Sequence, residues 1–103
     1  MKRIAVLASG QGTNLEAILK AAKSGEIAGR VELVISDRRK ARALEIARRW
    51  GVKALFINPA DYRDRNTYDA AVVKELQRAA IDLVVLAGFM RLLSAAFVRQ
   101  YPL

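Results

Sequence analysis

Five consecutive apolar residues near the start of the chain, 4–8, stop abruptly at a polar segment, residues 9–14, that contains two glycines. An apolar run of this length bounded by a turn is typical of a strand buried in a parallel sheet. A helical pattern of apolar residues begins at Leu15. The sequence therefore predicts a strand, a tight loop and a helix in direct succession. Because glycine has no Cβ, Gly10 and Gly12 allow a sharp turn and leave room for a ligand to approach the backbone amides.

The start of the predicted helix offers a place for an anion. The N–H groups of a helix's first turn have no partner within the helix, and the helix dipole is positive at this end. Together they favour a bound phosphate. We therefore predict that Gly12, Thr13 and Asn14 bind a phosphate group. The alternative is a plain glycine turn in which Thr13 caps the helix and no ligand binds.

The same alternation of apolar strands and amphipathic helices continues along the chain. Strands are predicted at residues 3–8, 31–35, 52–57 and 83–87. Helices are predicted at residues 13–24 and 41–50, from a cap at Asp64 to about residue 79, and at residues 95–100 with Ser94 as cap. Strands separated by helices pair in parallel through right-handed crossovers. The expected fold is α/β: a doubly wound, Rossmann-like parallel sheet of about four strands in the order 3-2-1-4.

The predicted strand order also gives the place of a ligand. In open parallel sheets, ligands bind at the carboxyl ends of the strands where the strand order reverses. Here the reversal falls between the first and the fourth strand. The loops at residues 10–14 and 88–93 both open there. We expect these two loops to form one site.

The composition of the 103 residues excludes several kinds of chemistry. The chain has no cysteine and no histidine, so it holds no disulfide, no thiolate metal site and no imidazole base. We expect no metal. No stretch has the length of a membrane span, and the first apolar run is too short for a signal peptide. The expected location is the cytoplasm, without a membrane partner.

The net charge of +8 points to anionic partners. The candidates are a nucleotide, a polyglutamylated cofactor and nucleic acid. Six basic residues cluster on and just before the second helix: Arg38, Arg39, Lys40, Arg42, Arg48 and Arg49. A solvated helix face is favoured over a nucleic-acid patch because no aromatic residues interleave with these side chains. A basic scaffold that binds RNA, with steeply salt-dependent affinity, ranks last among the functions considered.

Asp37 supports a competing function. It follows the second strand, where an acidic residue binds the ribose in dinucleotide-binding folds. Gly10 and Gly12 match half of the corresponding glycine fingerprint, but Leu15 occupies its third glycine position. A nicotinamide-dinucleotide-binding module is therefore the alternative function. The simpler interpretation, which we prefer, is that Asp37 and Arg38 form a solvated loop pair.

Two further features are candidates for a second ligand. Arg65 is predicted near the start of the third helix, where a cation opposes the helix dipole, which hints at an external carboxylate or phosphate partner. The alternative is that Arg65 is merely solvated, as most arginines in such places are. Met90, Arg91, Leu92 and Leu93 follow the fourth strand without becoming polar. Backbone amides beside apolar side chains suit a flat heterocycle. The alternative is that Met90 and Leu92 belong to the core and Arg91 lies on the surface.

Two segments resemble a known enzyme family. Residues 5–15, Ala-Val-Leu-Ala-Ser-Gly-Gln-Gly-Thr-Asn-Leu, resemble the opening of the phosphoribosylglycinamide formyltransferases of purine synthesis. Residues 82–94, Asp-Leu-Val-Val-Leu-Ala-Gly-Phe-Met-Arg-Leu-Leu-Ser, resemble the second signature of that family. The spacing between the segments also fits, so the resemblance covers the whole chain.

The resemblance implies a role for each candidate residue. Gly12, Thr13 and Asn14 would hold the phosphate of glycinamide ribonucleotide, in agreement with the anion site. Arg65 and the segment Met90, Arg91, Leu92 and Leu93 would contact 10-formyltetrahydrofolate, the co-substrate, with its pterin against that segment. Family members often have serine where Thr13 stands, and a hydroxyl is present in either case.

The resemblance also implies that the catalytic residues lie elsewhere. Family members are about twice as long, and beyond the part matched here they carry an Asn-x-His-Pro-Ser motif and later an aspartate. In the family the asparagine and histidine stabilise the tetrahedral intermediate, the histidine donates a proton, and the aspartate keeps the pKa of the histidine suited to that role. Residues 1–103 thus resemble the nucleotide-binding half, with no catalytic residue, and we expect no activity from this half alone. Its fourth strand would expose an edge, so we also expect a homodimer or a swapped assembly.

Overall fold

The computed structural model describes residues 2–89. Four strands and three α-helices alternate in this part of the chain, with a short 3₁₀ helix at Pro59–Asp61. The elements are β1 (Lys2–Leu7), α1 (Thr13–Ser24), β2 (Gly29–Ser36), α2 (Arg42–Arg49), β3 (Lys53–Phe56), α3 (Arg65–Arg78) and β4 (Leu83–Leu86). The predicted helix at residues 95–100 lies outside the described residues.

The four strands form one sheet in the order β3-β2-β1-β4, and every neighbouring pair is parallel. The predicted fold and strand order are therefore confirmed. Strand β2 begins two residues earlier than the apolar pattern indicates, because Gly29 and Arg30 pair with Lys2 and Arg3. Gly29 fits there since a Cβ at this position would lie 2.5 Å from Cδ1 of Ile4.

Helices cover both faces of the sheet, which explains why β1 is apolar without alternation. Ile4, Val6 and Ala8 pack on one face with residues of α1 and α2. Ala5 and Leu7 pack on the other face with residues of α3. All five of these residues are buried. Within residues 2–89, the longest helices are too short or too polar to cross a bilayer.

Two helix boundaries that the sequence predicts are found in the structure, the end of α1 at Gly25 and the start of α3 at Asp64. Gly25, at φ 86°, follows α1 in the left-handed conformation, and its N–H donates to the Ala22 carbonyl. Asp64 caps α3 in a reciprocal arrangement. Its Oδ1 accepts from the Thr67 N–H at 2.8 Å, and its own N–H donates to the Thr67 hydroxyl at 3.2 Å. Such pairs satisfy N–H groups that the helix leaves free.

The Asp64 cap makes the stability of the chain depend on pH. The hydrogen bond from the Thr67 backbone lowers the pKa of the Asp64 carboxyl below its ordinary value of 3.8. Because the folded pKa is the lower one, this stabilisation is complete above pH 3.8 and is lost as the pH falls through the lowered pKa. In urea denaturation we expect a higher free energy of unfolding for wild-type chain than for Asp64→Asn at neutral pH. This difference in free energy should disappear in acid. Asp61→Asn, which removes the same charge from a nearby exposed residue, is the control; a gap that stays constant in acid would contradict the prediction.

Candidate functional site

The loop after β1 is tied to the ends of both neighbouring strands. The Ala8 N–H donates to the Ile35 carbonyl of β2 at 3.0 Å, and the Ala87 N–H donates to the Leu7 carbonyl at 2.9 Å. Beyond the sheet, the Ser9 N–H donates to the Gly88 carbonyl at 3.3 Å. The chain segments that follow β1 and β4 therefore lie next to each other at Ser9 and Gly88, and that the loops at residues 10–14 and 88–93 form one site stays a prediction.

The amino terminus of α1 is open. Gly12 is the N-cap residue, at φ 80° and ψ 11°, and no side chain within residues 2–89 caps the helix. The first helical bond runs from the Glu16 N–H to the Gly12 carbonyl at 3.0 Å. The amides of Thr13, Asn14 and Leu15 precede that bond, and none of them donates to another group in the described part of the chain. The alternative in which Thr13 caps the helix is wrong, since Thr13 is already the first helical residue.

The side chains around these amides leave the site accessible. Thr13 and Asn14 are exposed, as is Gly10, whose Cα faces open space: a Cβ built there meets nothing within 4 Å. Leu15 is fully buried and fixes the helix to the core beneath. An uncapped helix end with exposed N–H groups at a strand carboxyl end can bind an anion. The geometry thus agrees with the predicted phosphate site.

Gly12 has a structural role as well. A Cβ at this position would lie 2.8 Å from Cδ1 of Ile46 and 3.0 Å from Cα of Ala43. Both residues belong to α2, so this helix packs directly behind the loop. Sequence reasoning missed Ala43 and Ile46, and the only local signal is that apolar residues recur three positions apart on one helix face.

Arg65 lies at the same edge of the sheet but on the opposite face. It is the first residue of α3, whereas α1 packs on the other side. Its side chain is exposed, and no ion pair to it is found within residues 2–89. No hydrogen bond links Arg65 to the loop of α1 there. The segment Met90, Arg91, Leu92 and Leu93 lies outside the described residues.

Asp37 differs from the expected solvated pair. Arg38 is exposed as expected, and its N–H donates to the Ser36 hydroxyl at 3.1 Å. Asp37, however, is half-buried, and its Oδ1 is shielded from solvent without a hydrogen-bond partner among the described residues. Buried polar atoms usually have a hydrogen-bond partner, and in dinucleotide-binding folds an acidic residue at this place accepts a hydrogen bond from the ribose.

The six basic residues of the cluster around α2 are all exposed, as a solvated face predicts. In the part of the chain that the structure describes, none of them has an acidic partner within ion-pair distance. One aromatic ring does contact the cluster, because the Arg39 guanidinium lies 5.4 Å from the centre of the Phe56 ring. Residues 2–89 hold no group of three or more acidic side chains that could bind a metal ion.

Comparison with known proteins gives a consistent result. Residues 2–103 match the family described as "Formyl transferase". Phosphoribosylglycinamide formyltransferase of Escherichia coli is 44% identical over 95% of this chain and 46% of its own length. The crystal structure of glycinamide ribonucleotide transformylase 1 from Symbiobacterium toebii has a TM-score of 0.95 at 52% identity, covering 99% of this chain and 48% of that one. The corresponding protein of Geobacillus kaustophilus has a TM-score of 0.94 at 41% identity, covering 99% and 54%.

The matches cover nearly the whole of this chain but only part of each relative. This chain spans about half the length of the bacterial relatives it matches. The family model covers nearly all of it, and the solved structures share its four-stranded parallel sheet. The chain belongs to the formyl transferase family.

Proposed function

We propose that residues 1–103 form the nucleotide-binding half of a phosphoribosylglycinamide formyltransferase. The reaction transfers the formyl group of 10-formyltetrahydrofolate to the amine of glycinamide ribonucleotide, a step of purine biosynthesis that we assign to the cytoplasm. One observation carries the proposal: in the described part of the chain α1 begins without a side-chain cap, beside the carboxyl ends of β1 and β4. The names of the similar proteins supply the substrate.

The proposed role of Gly12, Thr13 and Asn14 is to bind the phosphate of the ribonucleotide. The amides of Thr13, Asn14 and Leu15 supply donors, and the dipole of α1 supplies a favourable potential without a mobile cation. Phosphate binding is remote from the reacting amine. Phosphate binding contributes to the reaction by positioning the substrate, because the binding energy gained there holds the amine at a fixed distance from the formyl group.

The proposed folate site uses Arg65 and the segment Met90, Arg91, Leu92 and Leu93. The exposed guanidinium of Arg65 at the start of α3 is suited to an anionic group such as a carboxylate of the folate. Formyl transfer in this proposal requires no metal. The co-substrate supplies the activated one-carbon group, and the described residues contribute binding and orientation.

We assign no catalytic role to any residue of the chain. With no histidine in the sequence, the proton donor implied by the family resemblance is missing, so we expect residues 1–103 by themselves to bind the ribonucleotide without transferring a formyl group. Pairing of the edge strand β4 with another strand or a second copy remains a prediction. Its exposed Leu86, 40% accessible, is the feature that motivates it.

A dinucleotide-binding function is the second candidate, and the shielded, unpaired oxygen of Asp37 favours it. In that case the ribose hydroxyls of a nicotinamide dinucleotide would donate to this carboxylate. The two candidate functions differ in which residues must contact the ligand. The first needs the amides of residues 13–15, and the second needs Asp37 as well.

Nuclear magnetic resonance titration of the 103-residue chain separates the candidates. We expect glycinamide ribonucleotide to shift the amide signals of Thr13, Asn14 and Leu15 in a saturable manner, while the same compound without its phosphate leaves them unchanged. NAD is expected to leave the amide signal of Asp37 unchanged. A saturable shift at Asp37 with NAD, and none with the ribonucleotide, would support the dinucleotide function and overturn our proposal.

A formyl-transfer assay on the same sample tests the assigned lack of catalysis. The expected rate with 10-formyltetrahydrofolate is the uncatalysed background. A rate well above background that grows in proportion to protein concentration would overturn this part of the proposal.

A further inference from the structure

The loop that carries the anion site rests on helix α2. Gly12 is buried, and its bare Cα faces this helix: an added Cβ would lie 2.8 Å from Cδ1 of Ile46 and 3.0 Å from Cα of Ala43. Both partners are buried, with 3% of Ile46 and none of Ala43 accessible. The space between the loop and α2 therefore holds a hydrogen atom but not a methyl group.

This contact determines the orientation of the proposed donors. Gly12 is the N-cap of α1, so its position and its φ of 80° fix where the amides of Thr13 and Asn14 point. Among the described residues no side-chain hydrogen bond caps the helix, so side-chain support of the cap comes from the packing of α2 against Gly12. The hydroxyl or carboxylate that usually fixes a helix start is replaced here by apolar packing from behind.

We propose that Ile46, with Ala43 beside it, is a positioning residue of the anion site. It supports Gly12 in the left-handed conformation and thereby holds the amides of Thr13 and Asn14 in the geometry that binds phosphate. The inference rests on the proposed function for the identity of the ligand. It goes further in assigning part of the affinity to a helix that does not contact the ligand.

The contact predicts that Ile46→Val changes the affinity for the ribonucleotide in opposite directions in wild-type chain and in the Gly12→Ala variant. In wild-type chain the δ-methyl group of Ile46 supports Gly12, so its removal in Ile46→Val loosens the loop and weakens binding. In a Gly12→Ala background the same methyl group is the nearest obstacle to the new Cβ. There its removal relieves a clash and strengthens binding. A residue that contributes only to overall stability would act in the same direction in both backgrounds.

A double-mutant cycle with glycinamide ribonucleotide as the probe measures this effect in the 103-residue chain. We expect Ile46→Val to weaken binding about 3-fold alone and to strengthen it about 3-fold in the Gly12→Ala background, a coupling of about 10-fold, which is typical of residues in contact. The rescue should be incomplete, because the Cα of Ala43 also approaches the added Cβ.

Ile35→Val is the matched control. Ile35 is also buried, but its side chain packs on the opposite face of the sheet with α3. Only its backbone carbonyl, which the substitution retains, bonds to the start of the loop at Ala8. The same methyl group is lost, with a similar effect on unfolding. We expect its effect on binding to stay within about 2-fold and to be the same in both Gly12 backgrounds, as for residues without shared contacts.

A second readout needs no ligand. In the free chain, Ile46→Val is expected to shift the amide signals of Gly12, Thr13 and Asn14, whereas Ile35→Val leaves them in place. Equal effects of the two variants on these signals, or a cycle without sign reversal, would overturn the positioning role. Absence of ribonucleotide binding to wild-type chain would instead overturn the proposed function, and the amide signals would still decide whether Ile46 positions the loop.

Discussion

Asn14→Asp is expected to weaken binding of glycinamide ribonucleotide about 100-fold, because it places a carboxylate among the amides proposed to bind the phosphate. Unit charges 4 Å apart near a protein surface repel by about 4 kcal/mol, well above the roughly 2.7 kcal/mol that a 100-fold change requires. Asn14 is exposed in the first turn of α1, so the replacement fits without steric conflict.

The same replacement should stabilise the fold. A carboxylate in the first turn of a helix interacts favourably with the dipole, by about 0.5 kcal/mol. Loss of binding together with unchanged or increased stability would therefore identify a site effect, because unfolding cannot explain it. Few substitutions separate the two quantities in this way.

Asn66→Asp is the control for charge. Asn66 is exposed and occupies the second position of α3, as Asn14 does in α1. The two variants carry the same net charge, and only one alters the proposed site. Isothermal titration with the ribonucleotide should find near wild-type affinity for Asn66→Asp. Equal loss of affinity in both variants would mean that the phosphate responds to total charge, and the assignment of the site to α1 would be wrong.

Gly12→Ala is expected to reduce the free energy of unfolding by about 3 kcal/mol. The left-handed conformation costs a residue with a Cβ about 1 kcal/mol or more. Overpacking against Ile46 and Ala43 adds about 2 kcal/mol. Urea denaturation measures the sum, with the midpoint shifted and the slope unchanged.

Two other glycines separate these contributions. Gly25 has a φ of 86° but nothing within 4 Å of an added Cβ, so Gly25→Ala should lose only the conformational part, about 1 kcal/mol. Gly10 has neither a positive φ nor a close neighbour, and Gly10→Ala should stay within about 0.5 kcal/mol of wild type. If Gly12→Ala proved no worse than Gly25→Ala, the packing of α2 against the loop would be too loose to matter.

Much of the fold could be predicted from local pattern. The apolar run of β1, the glycine stop of α1 at Gly25 and the cap of α3 at Asp64 are each encoded within a few residues, and the structure confirms them. The strand order followed from the common order of doubly wound sheets with right-handed crossovers, which does not depend on individual side chains. The position of the start of α1 at the reversal of strand order followed from these two together.

The start of β2 and the burial of Asp37 could not be predicted from local sequence, because both depend on residues that are distant in the chain. The first residues of β2 are a glycine and an arginine, which are poor strand signals, and they are extended only because Lys2 and Arg3 pair with them. A solvated Asp37 is the simpler interpretation of the sequence, whereas the structure half-buries this residue. Its shielding depends on how the surrounding elements pack.

The sequence by itself determined that a buried strand runs into a glycine loop and then a helix, because apolar runs and glycines act over a few residues, whereas it left open whether Thr13 caps that helix. Tertiary structure alone decided what stands behind that loop. Gly12 meets Ala43 and Ile46 only because α2 packs on the same face of the sheet as α1. Close packing between elements depends on their relative position in space, and no local periodicity records it.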